Sequence, residues 1–185
     1  MNKLQILSSI TDRINQCNAC PLSEKEWKRV PGEGNADAKI VFVGEAPGAA
    51  EQETGRPFVG RAGKLLTNMI KAMNCTREDV YIVNVCKCRP PQNRKPTSDE
   101  MKSCEPFLKE QLAVIQPKVI ITLGATATEA LLGVGLGITK RRGIWEEYEG
   151  VKVMPTFHPA ACLYNPNLKD DVWKDLQEVI KFLKE

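Results

Sequence analysis

The sequence predicts an α/β fold with a mostly parallel central sheet that helices cover on both faces. Four short runs rich in β-branched residues are almost continuously apolar, which is typical of strands buried on both faces. These runs alternate with segments whose apolar residues recur at helical spacing, as in parallel sheets joined by helices. The predicted strands are Lys39–Val43, Val80–Val85, Val119–Leu123 and Val151–Thr156.

Helical patterns precede, separate and follow the strands. Met1–Asn15 carries apolar residues at helical spacing and predicts an amphipathic helix. Ser98, followed by two acidic residues, predicts a helix N-cap, because acids in a first turn interact favourably with the helix dipole. The pair Glu149-Gly150 predicts a turn that brings Ile144–Tyr148 beside the last strand. The other predicted helices are Ala62–Met73, Ser98–Ile115, Ala125–Leu132 and Asp171–Lys184.

Length and composition indicate one ordinary globular domain. The chain has 185 residues, of which 42% are hydrophobic and 26% charged, and we treat 1–185 as a single domain. It has no signal-peptide core and no apolar stretch of the ~20 residues that a membrane span needs. Seven cysteines without an export signal argue against a disulfide framework. We therefore expect a cytoplasmic monomer with reduced thiols and no membrane contact.

The predicted strands are followed by polar residues, glycines or prolines. Ligands of open α/β sheets bind outside the carboxyl ends of the strands, so these residues converge on one edge. They include an acid in a Gly/Pro turn, an asparagine before a basic loop, and His158, the only histidine of the chain. The segments are Gly44–Gly48, Asn84–Arg89, Gly124–Thr126 and Phe157–Pro159. The sequence thus predicts a functional site at this edge.

Four cysteines form a possible metal-binding set, and two of them flank a basic loop. Soft thiolate ligands favour zinc or an iron–sulfur cluster, and the residues alone leave both open. The loop from Lys87 to Lys95 has four basic residues and no acid, although such a run is often only a solvated face. The cysteines are Cys17, Cys20, Cys88 and Cys104. Metal, base and phosphate contacts are therefore predicted to share one surface.

Several motifs occur in order along nearly the whole chain. They are Cys17–Leu22, Gly32–Asn35, Gly44–Gly48, Thr54–Gly63, Asn84, Lys87–Pro91, Cys104 and Phe157–Ala160. Together they resemble the motifs of the iron–sulfur uracil-DNA glycosylases, family 4 of the uracil-DNA glycosylase superfamily. The resemblance implies a three-layer α/β/α sandwich around a four-stranded sheet. It also implies hydrolysis of the N-glycosidic bond of uracil in single- or double-stranded DNA, with free uracil as a product.

The resemblance further implies a 4Fe–4S cluster on Cys17, Cys20, Cys88 and Cys104. Cys86 is an additional thiol where the family more often has an apolar residue. In an extended segment Cys86 and Cys88 would face the same side, so only the motif match favours Cys88 as the ligand.

Uracil excision needs three groups that this chain can supply. The base must leave the duplex, and a flat apolar ring such as Phe58 can stack on it. Asn84 can accept a hydrogen bond from uracil N3–H and donate one to O4, whereas cytosine presents the opposite pattern. His158 can donate a hydrogen bond to the oxygen of the departing uracil, where negative charge develops.

The roles in the Gly44–Gly48 turn are less defined by the sequence. A steric block at uracil C5 would exclude thymine, and Gly48 stands where related enzymes often have an aromatic residue. We expect the Glu45 side chain, or the adjoining backbone of Ala46, Pro47 and Gly48, to form that block. Glu45 is also the acid predicted to orient water or to stabilise the cationic sugar, because Ala46 replaces the aspartate of the best-known branch.

Six side chains are predicted to contact DNA. Basic residues would bind phosphates without reading sequence, and such binding weakens steeply with salt. Tyr164 follows Leu163, where the family usually has Leu-Arg, and could stack instead of binding phosphate. The six are Arg61, Arg89, Arg94, Lys95, Arg142 and Tyr164.

Three alternatives stay open at this point. Ala46 and Tyr164 could mark a non-catalytic iron–sulfur protein that binds nucleic acid. A glycosylase could act mainly on other deaminated bases. The four cysteines could instead hold a structural zinc ion.

Overall fold

The computed structural model describes residues 1–24 and 26–185, and six strands in this part form one sheet. Their spatial order is β1-β3-β2-β4-β6-β5. The strands are β1 (Glu33–Gly34), β2 (Ile40–Gly44), β3 (Tyr81–Asn84), β4 (Val119–Leu123), β5 (Glu146–Tyr148) and β6 (Val151–Thr156). The four inner strands pair in parallel, which confirms the four predicted strands and the mostly parallel sheet.

The expectation of four strands was wrong because two short edge strands pair antiparallel at the flanks. β1 joins β3 and β5 joins β6. β1 has two residues, so it shows no alternating pattern in the sequence. β5 is the hairpin partner that the turn at Glu149 and Gly150 predicts, and both turn residues have positive φ, 51° and 81°.

Helices cover both faces of the sheet, and the five predicted helices are present. The α-helices of the described residues are α1 (Lys3–Asn15), α2 (Ala49–Thr54), α3 (Arg61–Ala72), α4 (Ser98–Ile115), α5 (Ala125–Leu132), α6 (Ile138–Arg141), α7 (Pro159–Tyr164) and α8 (Leu168–Lys184). The short helices α2, α6 and α7 were not predicted, because four to six residues are too few to show helical periodicity. The N-cap of α4 is Thr97, not Ser98, and its hydroxyl accepts a hydrogen bond from Glu100 N at 3.2 Å.

Two apolar cores flank the sheet and confirm the three-layer α/β/α arrangement. On one face, Ile14 of α1 and Leu112 of α4 belong to a cluster with Val43 of β2. On the other face, Leu66 of α3 lies in a cluster with Phe42 of β2, and both side chains are fully buried. Burying a side chain of this size contributes about 1.5–3 kcal/mol relative to leaving it exposed.

The strand register brings the predicted site residues to one edge. Gly44, the last residue of β2, lies opposite Asn84, the last residue of β3. Leu123 of β4 pairs with Thr156 of β6, so His158 follows near the start of α5. Within the described ranges, no helix combines the length and the apolar character that crossing a membrane requires.

Candidate active site and cysteine cavity

A cleft of ≈ 490 Å³ opens at the carboxyl edge of the sheet. Its walls come from the loop after β2, the segment after β3, the start of α5 and the start of α7. The polar side chains that line it are Glu45, Glu51, Asn93, Arg94, Thr126 and His158, and the Ala46, Pro47 and Gly48 backbone completes one wall. The predicted convergence of strand ends is therefore present in the fold.

Asn84 does not line this cleft itself, but it pairs with Gly44, the residue before the loop that does. Its side chain is 2% exposed, and its buried Oδ1 has no hydrogen-bond partner among the described residues. A Cβ added to Gly44 would lie 2.5 Å from Asn84 Oδ1 and 2.6 Å from Phe58 Cζ, so the amide and the ring both border Gly44. Leaving a buried acceptor unpaired costs about 1–3 kcal/mol, which a ligand that donates a hydrogen bond can recover.

Replacing Gly44 by alanine is expected to destabilise the fold and to close this space. The added methyl group would overlap Asn84 and Phe58, and overpacking of this kind typically costs about 1–3 kcal/mol. Denaturant unfolding and inhibition by free uracil would measure the two effects. Gly137→Ala is the matched control, because no heavy atom lies within 4 Å of a Cβ built there. A Gly44→Ala protein that keeps native stability and uracil inhibition would contradict this account of the pocket.

Phe58 is held in an uncommon backbone conformation by a partly buried arginine. Its φ is 50°, in the left-handed region, and its side chain is 7% exposed. The Arg77 guanidinium donates to the carbonyl oxygens of Phe58 and Pro57 at 2.9 and 2.7 Å, and to Glu33 Oε1 at 2.9 Å. Because these bonds fix the backbone on both sides of the turn, the ring is positioned before any base arrives.

His158 lies next to Phe58 as a neutral ring with a defined donor. The two ring centroids are 5.6 Å apart with an interplanar angle of 32°. His158 Nδ1 accepts a hydrogen bond from Ala160 N at 3.0 Å and thereby caps α7. Burial lowers the pKa of His158 to about 4, so the imidazole is neutral at pH 7. With Nδ1 as the acceptor, the ring proton resides on Nε2, which is then available as a donor.

The chain comes very close to His158 at Gly124. Gly124 has a φ of 90°, and a Cβ there would approach the Cβ of His158 to 3.0 Å. A glycine is required at this position because the left-handed backbone would strain any other residue.

Two side chains that the sequence analysis did not single out organise the Gly44–Gly48 turn. The Thr126 hydroxyl donates to Glu45 Oε2 at 2.5 Å. The Glu51 carboxylate accepts hydrogen bonds from Gly48 N at 3.0 Å, Val59 N at 3.1 Å and Gly60 N at 2.8 Å. Glu51 therefore ties this turn to the segment that follows Phe58. An acid three residues after an N-cap glycine is a capping signal that could have identified it.

The basic residues predicted to contact DNA differ in how they are engaged. Arg61 is exposed at the start of α3, and Tyr164 is 92% exposed at the end of α7. Arg89 Nε donates to Asn93 Oδ1 at 2.7 Å, and its guanidinium lies 5.7 Å from the centre of the Trp27 ring. The side chains of Arg61, Arg89 and Tyr164 can therefore be reached by a ligand.

The other three basic residues pair with acids. Arg94 donates to both carboxylate oxygens of Glu100, at 2.7 and 2.9 Å, and lowers the pKa of that carboxyl to about 2. Lys95 Nζ is 3.6 Å from Glu129. Arg142 binds the buried Asp175 with two hydrogen bonds. A DNA contact from Arg142 stays a prediction, and its position gives that role no support.

Five cysteines line one cavity between the end of α1 and the start of α4. It contains Cys17, Cys20, Cys86, Cys88 and Cys104. The four cysteines predicted as ligands are therefore brought together, with Cys86 as a fifth.

The groups around this cavity are chemically suited to a metal centre held by thiolates. Backbone N–H groups point at two of the sulfurs, Ala19 N at Cys17 Sγ (3.5 Å) and Lys87 N at Cys104 Sγ (3.3 Å). Arg29 Nε is buried without a partner, and its guanidinium acts to lower the pKa of Cys88, which burial raises to about 12. In the described part of the chain, no three His, Cys, Asp or Glu side chains are arranged to hold one metal ion.

Lys87 connects the cysteine cavity with Asn84. Its side chain is 1% exposed, and its Nζ donates to the Asn84 carbonyl at 2.9 Å and to Gln111 Oε1 at 2.8 Å. Its backbone N donates to the Cys104 sulfur. A buried amine that is bonded to the strand end fixes the position from which the Asn84 side chain extends.

Comparisons with known proteins agree with this architecture. Residues 31–177 match the family model described as the Uracil DNA glycosylase superfamily. A Type-4 uracil-DNA glycosylase of Thermotoga maritima is 47% identical over 184 residues, which cover 97% of this chain and 96% of that protein. One of Sulfurisphaera tokodaii is 46% identical, over 94% of this chain and 83% of its own length. A Type-5 uracil-DNA glycosylase of Pyrobaculum aerophilum is 34% identical, over 75% of this chain and 69% of its own length.

Proposed function

Because the chain belongs to the uracil-DNA glycosylase superfamily, we propose that it is a DNA-repair enzyme that hydrolyses the N-glycosidic bond of uracil in DNA. The products are free uracil and an abasic site. The observation that carries the proposal is the buried, unpartnered Oδ1 of Asn84, which borders the same glycine as the Phe58 ring. His158 lies beside that ring, with the two ring centroids 5.6 Å apart.

Asn84 selects uracil over cytosine. Its Oδ1 accepts from uracil N3–H, and its Nδ2 donates to uracil O4. Cytosine has an acceptor at N3 and a donor at the exocyclic amine, so each hydrogen bond would be replaced by a repulsion. The Phe58 ring supplies the stacking surface, which is worth about 1–3 kcal/mol per base.

Glu51 supports the part of the pocket that would clash with the C5 methyl group of thymine. A Cβ at Gly48 would lie 2.8 Å from Glu51 Oε1, so this carboxylate lies directly beside the Gly48 backbone. Glu51 therefore adds to the block that we expect from Glu45 or from the backbone of Ala46, Pro47 and Gly48. Its three backbone hydrogen bonds keep it from moving aside. A methyl group at C5 therefore meets a rigid wall formed by Gly48 and Glu51.

His158 stabilises the departing uracil. The bond breaks with positive charge on the sugar and negative charge on the base, and the Nε2–H of the neutral ring donates to the oxygen that gains charge. A donor placed at a developing oxyanion typically contributes about 2.7–4 kcal/mol. The hydrogen bond from Ala160 fixes the tautomer, so the ring does not need to reorient during the reaction.

Glu45 orients the attacking water. Its carboxylate lines the cleft and is fixed by the Thr126 hydroxyl, so one oxygen is engaged and the other can accept a hydrogen bond from water. Its charge also favours the cationic sugar. Asn93 lines the same cleft and offers a second polar group to the water.

Cys17, Cys20, Cys88 and Cys104 hold a 4Fe–4S cluster in this proposal. When bound, the cluster supplies a cross-link of four thiolates and no redox step. The four residues tie the end of α1 to α4 and to the basic loop, so Arg89 and Lys95 are presented toward DNA phosphates. Cytoplasmic location, a monomeric state and action on single- or double-stranded DNA complete the proposal and rest on the sequence.

Incubation with a uracil-containing oligonucleotide, followed by alkali, tests the activity. We expect strand cleavage at the uracil position only after alkali treatment, because a hydrolytic glycosylase leaves an intact backbone with an abasic site. The same oligonucleotide with thymine at that position is the control. An uncleaved uracil strand would favour the non-catalytic binding protein, and cleavage without alkali would indicate lyase chemistry.

A further inference from the structure

The fifth cysteine of the cavity has no role in the proposed cluster. Cys86 is 1% exposed and lines the same cavity as the four predicted ligands. Cys20 and Cys104 line this cavity too, so Cys86 shares it with thiols that the proposal assigns to the cluster. A reduced thiol in a purely apolar core would have no such neighbours.

Backbone hydrogen bonds hold the main chain at Cys86 and at the next residue. Cys86 N donates to the Glu45 carbonyl at 3.0 Å, and the carbonyl of the next residue, Lys87, accepts from Val30 N at 2.8 Å. Cys88 follows two residues later and lines the same cavity. The exchange proposed below therefore needs a change at the Cys86 side chain and no movement of the backbone.

We propose that Cys86 is a reserve cluster ligand, able to bind the iron that Cys88 holds whenever the Cys88 thiolate is lost. The inference rests on the proposed 4Fe–4S cluster. In the exchange, the iron–sulfur bond to Cys88 breaks, the Cys86 thiol releases its proton to solvent, and the Cys86 thiolate forms the new bond. The iron keeps its oxidation state. A cluster with a spare thiol survives oxidation or alkylation of one ligand.

Iron and sulfide analysis of purified cysteine variants tests this directly. We expect the native protein and Cys88→Ala each to hold about four irons per chain with the brown colour of the cluster. The double variant C86A/C88A should lose the cluster. C75A/C88A is the matched control, because Cys75 lies outside the cavity and its removal deletes the same number of thiols. Equal iron content in Cys88→Ala and C86A/C88A would overturn the reserve role.

A second measurement avoids Cys88 variants, in case they do not fold. The holoprotein and its Cys86→Ala variant are treated with peroxide, and the loss of cluster absorption is followed in the presence of an iron chelator. We expect faster loss in Cys86→Ala, whereas equal rates would contradict the proposal. A native protein that contains no iron would refute the cluster itself, which separates failure of the proposed cofactor from failure of the reserve ligand.

Discussion

Replacing His158 by alanine is expected to lower kcat for uracil release by about 10²–10³-fold while DNA binding is retained. The variant lacks the Nε2–H donor at the oxygen of the departing base, and that hydrogen bond is strongest in the transition state. Single-turnover kinetics on a uracil oligonucleotide measure the loss, and titration with the same DNA at several salt concentrations measures binding. Parallel loss of binding and turnover would mean that the site was assigned wrongly or that the variant is misfolded.

The His158→Asn variant separates the role of His158 as the N-cap of α7 from its role as a hydrogen-bond donor to uracil. The asparagine side chain can still accept a hydrogen bond from Ala160 N, so α7 keeps its N-cap, while the imidazole donor is absent. We expect it to fold like the native protein and to be as slow as His158→Ala. Native-like turnover by His158→Asn would exclude the imidazole as the group that stabilises the leaving uracil.

The pH dependence of stability and of turnover provides a second test of His158. The pKa of His158 is about 4 in the folded protein, against 6.5 for the unperturbed group, because burial disfavours the imidazolium. As the pH falls below about 6.5, His158 becomes protonated in the unfolded chain but stays neutral in the folded protein. Protonation therefore stabilises the unfolded chain, and the free energy of unfolding decreases from about pH 6.5 toward pH 4. Denaturant midpoints should show this decline in the native protein and less of it in His158→Asn. Turnover should likewise fall only as the pH approaches 4.

Replacing Asn84 by alanine is expected to reduce kcat/KM for uracil by about 30-fold to 10⁴-fold. Two hydrogen bonds to the base disappear, and each uracil group left unpaired in the pocket costs about 1–3 kcal/mol. In the folded protein, the acceptor that is removed has no hydrogen-bond partner among the described residues. Its thermal stability should therefore stay the same or increase, although activity collapses.

A side chain that recognises the base can be removed without loss of stability, whereas a side chain that packs in the core cannot. Measuring stability and activity together therefore shows which of the two roles Asn84 has. Calorimetry and excision kinetics on the same preparation measure both, and discrimination between uracil and cytosine should fall with kcat/KM. Asn68→Ala, at an exposed position of α3, is the control and should leave both quantities unchanged. An Asn84→Ala protein that loses stability in proportion to activity would show that the side chain supports the fold.

Much of this site could be predicted because its main residues stand next to regular elements. Asn84 ends a strand and His158 follows one, so the rule for parallel sheets was enough to bring them to one edge. The cysteines converge for a similar reason, since one pair follows α1 and the other flanks the loop before α4. The two edge strands were harder to predict, because pairing with an existing strand forms them without any periodicity of their own.

Residues that act through distant partners could not be predicted. Arg77 supports Phe58 from a position nineteen residues further along the chain, and no local pattern shows that link. The basic run at Arg142 suggested a ligand for phosphate, but Asp175 approaches it from α8. A run of basic residues shows where positive charge is concentrated in the sequence. It does not show which acidic side chains the tertiary fold will place beside that charge.

The register between β2 and β3 has a consequence for how this protein can evolve. Side chains alternate between the two sides of a sheet, so a slip of one residue would turn the Asn84 amide away from Gly44 and toward the opposite helical layer. Insertions or deletions inside either strand would therefore abolish base selection even if the core repacked perfectly. Length changes should be confined to the loops between strands, where they leave the alignment of these two residues intact.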